Sequence, residues 1–480
     1  MNDKVAIRRL ATGVPGLDEV LGGGLPEFSF NLISGPTGAG KTTLAHQLMF
    51  ALATVEKPAL FFTVLGEPPL KMLRYQQQFD YFALEKVDTA IRFVDLSDEV
   101  ATGQLDHVLE RITAELKASS PAFVFVDSFR AMAREASSEG MGSFQQFVQQ
   151  LAMQLTGSRA TSFLMGEFGP GDAVLTIADG VVSLVQDVHR NSMVRKLQVL
   201  KMRGQASLPG LHTFRITTAG LEVIPPAPVR ANRVSTASVE RPRLSVGVAG
   251  LDELLGGGLP EGYSMLVAGP SGSGKTVLAS AFLSEGARRG EAGLLVAFEQ
   301  APSQSLDPAM EDLVRSGKVG LIDTRSLELS IDEVVFQLLK DIRRLKATRV
   351  VIDSLSGFEL AVAPTFREDF RESLLRLVAS LASVGVTVVM TSELEDRYTD
   401  LRFSPYGTAF LTDAIIVQRY IELESRLERV LSVVKVRGSA HSTDIRRFSI
   451  GSTGITLGAR LDEFEGLLAG RPTRRALRAP

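Results

Sequence analysis

One short pattern occurs twice in this chain. Gly35-Pro36-Thr37-Gly38-Ala39-Gly40-Lys41-Thr42 and Gly269-Pro270-Ser271-Gly272-Ser273-Gly274-Lys275-Thr276 both satisfy GxxxxGK[ST]. Each follows an apolar run, Phe28 to Ile33 and Met265 to Ala268, and each opens into a helix-like pattern, Leu44 to Leu52 and Val277 to Leu283. A phosphate-binding loop needs this strand, loop and helix context. Glycines let successive backbone N–H groups turn toward one anionic point, and the helix adds the positive end of its dipole. Gly35, Thr37, Gly38, Ala39, Gly40, Lys41, Thr42 and Thr43 are therefore expected to cradle the phosphates in one copy. Gly269, Ser271, Gly272, Ser273, Gly274, Lys275, Thr276 and Val277 are expected to do so in the other. The lysine reaches the outer phosphates, and the hydroxyl of Thr42 or Thr276 ligates Mg²⁺.

The duplication extends well beyond the loop. Thr12-Gly13-Val14-Pro15-Gly16-Leu17-Asp18-Glu19-Val20-Leu21-Gly22-Gly23-Gly24-Leu25-Pro26 returns almost residue for residue as Val246 to Pro260. The register is constant, pairing Gly13 with Gly247 and Lys41 with Lys275, so a whole domain is repeated rather than a short solenoid unit. After each loop, apolar runs alternate with helical patterns. Ala59 to Val64, Ile91 to Val94, Phe123 to Val126 and Ser162 to Met165 are answered by Gly293 to Phe298, Val319 to Ile322, Val350 to Ile352 and Val386 to Met390. This predicts an α/β fold in each half, a mostly parallel twisted sheet with crossover helices, its strands buried on both faces. The expected boundaries are a first domain over 1–224, a linker over 225–243 opened by Pro225-Pro226-Ala227-Pro228, a second domain over 244–470 and a tail over 471–480. That tail holds four arginines and little apolar surface, so it is expected to be disordered.

Composition narrows the class. With 480 residues, 45% hydrophobic and 22% charged, each half can bury its own core, and no apolar run is long enough to cross a bilayer. Zero cysteines remove disulfides and thiolate metal sites. The opening Met-Asn-Asp-Lys lacks an apolar h-region, which predicts a cytoplasmic protein. A formal net charge of −3 supplies no overall attraction to nucleic acid.

Hydrolysis of a nucleoside triphosphate needs a carboxylate beside Mg²⁺, a group that orients or deprotonates water, and positive charge for the developing phosphate charge. Asp127 ends Phe123-Val124-Phe125-Val126 and Asp353 ends Val350-Val351-Ile352, each followed by serine, so both fit the metal role at the carboxyl end of a buried strand. For the base, Glu299-Gln300 ends Leu294 to Phe298, whereas the first copy reads Gly66-Glu67. Aligning Pro69 with Pro302 sets Gly66 against Glu299 and Glu67 against Gln300, so each copy keeps one carboxylate at opposite places of the pair. Neighbouring strand residues point to opposite sides. Glu299 is the expected base, and Glu67 is left open as one. Glu167 and Glu393, just past the next strand candidates, are placed to sense the γ-phosphate or to hold the water. Lys201-Met202-Arg203-Gly204 and Lys435-Val436-Arg437-Gly438 each put lysine and arginine on one face of a strand. They are far along the chain from the loops, so donation from a neighbouring subunit, as arginine fingers, is the expected use.

Tandem P-loops, Asp-Ser after the third apolar run, the Gly-x-x-Gly-Leu-Asp-Glu-x-Leu-Gly-Gly-Gly-Leu-Pro lead-in and the two Lys-x-Arg-Gly stretches together resemble the KaiC family of two-domain RecA-like ATPases, over about residues 10 to 460. The resemblance implies two tandem RecA-like P-loop domains and a double-ring homohexamer with ATP and Mg²⁺ at subunit interfaces. It also implies a Glu pair that activates water, Lys-x-Arg reaching the neighbour's γ-phosphate, and protein regulators as partners, KaiB-like ones among them. Family members in circadian timing also phosphorylate their own adjacent Ser-Thr pair. With Thr412-Asp413 as anchor that pair falls here on Ala409-Phe410, leaving Thr408 and Thr412 as the nearby hydroxyls. The reading that follows is a hexameric ATPase turning over mainly in its second ring, with residual Ser/Thr autokinase activity left open. Gly66 and Gln300 keep open an ATP-dependent assembly module with little turnover. The fold and the arginine-bearing tail keep open a RecA/RadA-like DNA-dependent ATPase, although no basic, aromatic-interleaved segment of the single-strand-binding kind is present and DNA is not an expected partner.

Overall fold

Long apolar runs without alternation fill a strand whose two faces are both covered, and this sets the architecture of each half. The structure is a computed structural model that describes residues 7–64, 69–101, 105–128, 141–169, 171–189, 192–225, 241–298, 308–323, 331–361, 370–394, 411–467 and 473–474. The chain divides into two units, Met1–Pro226 and Ala227–Pro480. In the first, six parallel strands lie in the order Ile91–Asp95, Ala59–Thr63, Phe123–Asp127, Thr161–Gly166, Phe30–Ser34, Gly180–His189. Three antiparallel strands, Ser192–Met202, His212–Thr217 and Gly220–Val223, extend the sheet beyond them. The second unit repeats the plan. Its parallel strands are Val319–Asp323, Gly293–Ala297, Arg349–Asp353, Thr387–Glu393, Ser264–Gly269 and Ala414–Leu423, followed by antiparallel Arg426–Val436, Arg446–Gly451 and Gly454–Arg460. These are two tandem RecA-like α/β folds, each with a nine-stranded, mainly parallel sheet among the described residues. No described helix is long and apolar enough to cross a membrane.

Alternation along each strand divides the core into two layers. Phe61, Phe125 and Phe163 face the helix Lys41–Leu52 that follows the first P-loop, and meet its Leu44 and Leu48. Leu60, Phe62, Val124, Val126 and Leu164 face the other way, onto helices Leu105–Ser119 and Met141–Gly157. In the second unit Val267, Val351 and Val389 meet Leu278 and Phe282 of helix Lys275–Arg288. Leu266, Val350, Ile352 and Met390 meet Leu338 and Leu377 across the sheet.

Several boundaries differ from the sequence reading. The first P-loop strand begins at Phe30, because Phe28 sits at φ 63 and is 53% exposed. Both P-loop helices begin at their lysine rather than three or two residues later. The strand expected over Val386 to Met390 runs Thr387–Glu393, so Glu393 ends a strand instead of following one. The antiparallel extension was not foreseen apart from the strand bearing Lys201 and its counterpart. The repeated lead-in also has a structural account. Asp18 Oδ1 accepts the Thr12 N–H at 2.9 Å and Asp252 Oδ1 accepts the Val246 N–H at 2.8 Å, tying the entry of each domain to its first short helix. A side chain at Gly22 or Gly256 would run into the carbonyl of Ala206 or Ala440, which is why the glycine run returns.

Arg349 is a point where the units diverge. It opens the strand that ends in Asp353, at the place Phe123 holds in the first unit, and is fully buried. Its Nε donates to Glu291 Oε2 at 2.6 Å, and its Nη1 donates to the carbonyls of Ser245 at 2.7 Å and Phe282 at 3.0 Å. The guanidinium lies 4.6 Å from the Phe282 ring centroid. One planar cation thus joins the domain entry, the P-loop helix and the sheet, a task lysine's point charge does not reproduce. Arg349→Met should destabilise the second unit by about 3–5 kcal/mol, since it strands a carboxylate and two carbonyls; Arg349→Lys should recover only part. Denaturant unfolding checks this, and a change below about 1 kcal/mol in Arg349→Met would refute it.

His46, on the first P-loop helix, is fully buried and stacked on Phe61 at a centroid distance of 4.7 Å, with the Thr42 backbone opposing but not offsetting the effect of burial. Burial pushes its pKa down from 6.5 to about 3. The unfolded chain therefore binds a proton that the folded chain refuses between those values, and stability falls as pH drops from about 6.5 toward 3, with a slope of up to about 1.4 kcal/mol per pH unit. Melting of His46→Phe should lose less stability than wild type between pH 6.5 and 5; parallel pH profiles would refute the assignment.

Candidate functional site

The site is built where the parallel strands end. Each P-loop leaves the carboxyl end of its strand, Phe30–Ser34 or Ser264–Gly269, and closes onto the N-terminus of helix Lys41–Leu52 or Lys275–Arg288. Gly40 and Gly274 hold φ 103 and 102 before the lysines, and a Cβ at either would meet Ile216 or Ile450 on the antiparallel extension. The extension therefore supports the loop from behind, and only glycine fits between.

Within the loop, Lys41 Nζ donates to the carbonyls of Gly35 and Pro36, both at 2.8 Å, and Lys275 Nζ to those of Gly269 at 3.0 Å and Pro270 at 2.8 Å. Each ammonium is folded over the loop mouth, held by oxygens that phosphate oxygens would replace. Ala39 and Ser273 are buried, their N–H groups closing turns onto Pro36 and Pro270 at 3.2 Å, and Ser273 Oγ bonds Gln418 Oε1 at 3.2 Å. Thr37 and Gly38, and Ser271 and Gly272, form the exposed tip, while Thr43 and Val277 lie half-buried in the first helical turn.

In each unit the aspartate ends the strand second from the P-loop strand, on the P-loop-helix side of the sheet, and both Asp-Ser peptide bonds that follow are cis. Thr42 Oγ1 donates to Asp127 Oδ2 at 2.8 Å. Burial raises the Asp127 pKa, opposed by that hydroxyl and by the Lys41 charge. A carboxylate, a hydroxyl and a phosphate-facing loop form an oxygen set of the kind Mg²⁺ takes alongside substrate phosphates and water. The residues present therefore fit the ion. In the second unit Asp353 is arranged differently, its Oδ1 accepting the Thr391 hydroxyl, and no hydrogen bond joins it to Thr276 among the described residues. Glu167 and Glu393 are exposed at this same sheet edge, beside the P-loop strands, where Gly166 pairs with Ser34 and Glu393 with Gly269. The Glu393 N–H donates to Ser356 Oγ at 3.2 Å. Glu67, Gly66, Glu299 and Gln300 lie outside the described residues, as do Thr408, Ala409 and Phe410. Thr412 is described and buried, and its carbonyl accepts Lys435 Nζ at 2.7 Å.

The Lys-x-Arg stretches sit at the other end of the sheet. Met202 pairs with Gly180, which pairs with Asn31 near the start of the P-loop strand, and Val436 pairs with Ala414, which pairs with Met265. The P-loop strand of the first unit is five residues long, so about 17 Å of backbone separates Lys201 and Arg203 from their own loop. Lys201 Nζ donates to the carbonyls of Leu175 at 3.1 Å and Thr176 at 3.0 Å, in the last turn of helix Ala173–Ile177, and Arg203 Nη2 reaches Thr176 at 3.3 Å. Convergence on one carbonyl places the two cations on one face, as alternation requires. Partial burial, and then the neighbouring arginine's charge, lower the pKa of Lys201 and of Lys435, while Asp179 and Asp413 oppose the shift. Sequence reasoning gave neither aspartate a role and used Asp413 only as an alignment anchor. Asp179 accepts the Phe30 N–H at 3.0 Å and Arg203 Nη1 at 3.1 Å, and Asp413 accepts the Ser264 N–H at 3.0 Å and pairs with Arg437 at 3.6 Å. Their identical spacing from the two P-loop lysines was the available signal.

A family model described as "ATPase: KaiC" matches residues 10–228 and again residues 244–462. Among curated relatives, the circadian clock oscillator protein KaiC of Rippkaea orientalis is 28% identical, with 98% of this chain and 93% of that protein covered. KaiC 1 of Synechocystis is likewise 28% identical over 98% of this chain and 92% of its own length. KaiC of Thermostichus vulcanus is 26% identical over 98% and 92%. Both halves, each with its phosphate loop at the carboxyl edge of a parallel sheet, match the same model, and the chain belongs to the KaiC family of ATPases.

Proposed function

We propose that the chain assembles as a homohexamer of two stacked rings, with Mg·ATP bound between neighbouring subunits, and hydrolyses ATP mainly in the ring built by the second domain. Its ring conformation is read by protein regulators of the KaiB kind, in keeping with the circadian names of its relatives. The observation that carries this reading is sheet polarity. Lys435 and Arg437 lie at the sheet end opposite their own P-loop, and Arg437 is 52% exposed in a loose ion pair with Asp413. They serve a triphosphate only when it belongs to an adjoining protomer.

Lys275 exchanges its loop carbonyls for phosphate oxygens, and Asp353 with Thr276 would hold Mg²⁺. When bound, that ion would supply positive charge against the phosphates. Glu299 accepts a proton from the attacking water. Arg437 from next door meets the charge that grows on the transferred group, a contribution of the size of an arginine finger, about 10³–10⁵ in rate. In the first ring Gly66 stands where Glu299 does, which favours a nucleotide held chiefly for assembly, with Asp127 and Thr42 on the ion and Glu67, Glu167, Lys201 and Arg203 in lesser roles. Autokinase activity has little support, because Ala409 and Phe410 replace the acceptor pair and Thr412 is buried.

Lys275→Ala and Glu299→Gln should each lower steady-state ATP turnover at least tenfold, whereas Lys41→Ala should mainly weaken ATP-dependent assembly seen by size-exclusion chromatography. Unchanged turnover in Glu299→Gln would remove that residue from the mechanism. Donation between subunits has its own test. Arg437→Ala and Lys275→Ala proteins, each inactive alone, should regain turnover when mixed and reassembled, since an Arg437→Ala pocket can borrow the arginine of a Lys275→Ala neighbour. No regain would refute the shared site.

A further inference from the structure

The two aspartates at the metal positions are held by different partners. Asp127 Oδ2 accepts the hydroxyl of Thr42, the P-loop residue itself. Asp353 Oδ1 instead accepts the hydroxyl of Thr391, which stands on the adjacent strand Thr387–Glu393 and is fully buried. Strand register makes this contact local: Ile352 pairs with Met390, so Asp353 and Thr391 are the next residues along and share the face turned toward the P-loop helix. At the corresponding place of the first unit, fixed by its pairing beside the P-loop strand, stands Met165, which has no hydroxyl to give. Asp353 is also less buried than Asp127, and Thr276 is exposed where Thr42 is half-buried. The second pocket is thus more open and lacks the tie between threonine and aspartate that orients the first.

A carboxylate that ligates a metal performs best when its other oxygen is fixed by an outer hydrogen bond. We propose that Thr391 is a positioning residue of the second nucleotide site. By occupying Oδ1 of Asp353 it turns Oδ2 toward Thr276 and the Mg²⁺ position, a task that in the first unit falls to Thr42 alone. This rests on the reading of Asp353 as the second-ring metal ligand. Thr391 touches neither nucleotide nor ion, so its removal weakens metal binding while the loop's contacts to the phosphates persist.

The test measures binding rather than turnover. In full-length protein carrying Lys41→Ala, so that the second P-loop dominates, and at protein concentrations where size-exclusion chromatography gives parent and variants the same oligomeric state, a fluorescent ADP analogue is titrated at fixed concentration with Mg²⁺. Thr391→Val, nearly isosteric, should raise the Mg²⁺ concentration for half-maximal binding about tenfold or more, the usual size of an outer-shell effect. Thr391→Ser, which keeps the hydroxyl, should stay within about twofold of the parent. Analogue affinity without Mg²⁺ should be the same in all three, a readout that a general packing defect would move. An unmoved Mg²⁺ midpoint in Thr391→Val, or a Thr391→Ser protein as impaired as Thr391→Val, would overturn the inference alone. A parent whose binding ignores Mg²⁺ would overturn it together with the metal role of Asp353.

Discussion

A parallel strand has two chemically different ends, and in this protein everything else depends on that polarity. At the carboxyl end the strand Phe30–Ser34 delivers a loop whose N–H groups and following helix N-terminus favour anions. At the amino end the same sheet gathers Lys201, Arg203 and Asp179, with the carbonyls of a short helix's last turn. One end receives negative charge and the other presents positive charge, with about 17 Å of strand between them. In the proposed assembly a neighbour in the same orientation completes the pocket that a single domain leaves open, and under that proposal the use of other copies of the chain follows from strand direction.

Duplication preserved that polarity and let the details around it drift. The glycine runs, the entry aspartates Asp18 and Asp252, and the aspartates under the Lys-x-Arg pairs keep their partners in both units. Differences collect where one unit buries a polar group and the other an apolar one. Arg349 stands where Phe123 does and Thr391 where Met165 does. Both substitutions exchange dispersion in an apolar layer for hydrogen bonds that tolerate no missing partner. The second unit therefore has a core more exacting in its polar geometry, beside an Asp353 whose hydrogen bond comes from the neighbouring strand rather than from the P-loop helix.

The fold class, four of the five parallel strands that follow each P-loop strand, and the place of Asp127 and Asp353 at strand ends were legible in the chain itself, because a run such as Phe123-Val124-Phe125-Val126-Asp127 buries both faces and ends in a polar group. The antiparallel extension was mostly missed. Its strands, such as Ser192–Met202, interleave lysine and glutamine with apolar residues in the manner of a half-exposed ribbon, and local pattern does not say to which sheet edge a ribbon adds. Its role in closing the loop from behind, through Ile216 against Gly40 and Ile450 against Gly274, had no local signature at all.

The sequence alone determined that there are two phosphate loops on two copies of one α/β domain, since glycine spacing, a lysine and a helix start are local requirements that neighbouring residues satisfy. Only the tertiary structure decided which end of the sheet each charged group occupies and which partner each buried carboxylate takes. Those are settled by strand direction and register, and register is a relation between segments distant in the chain. Asp353 meets Thr391, 38 positions further along the chain, and no periodicity within either strand announces that meeting.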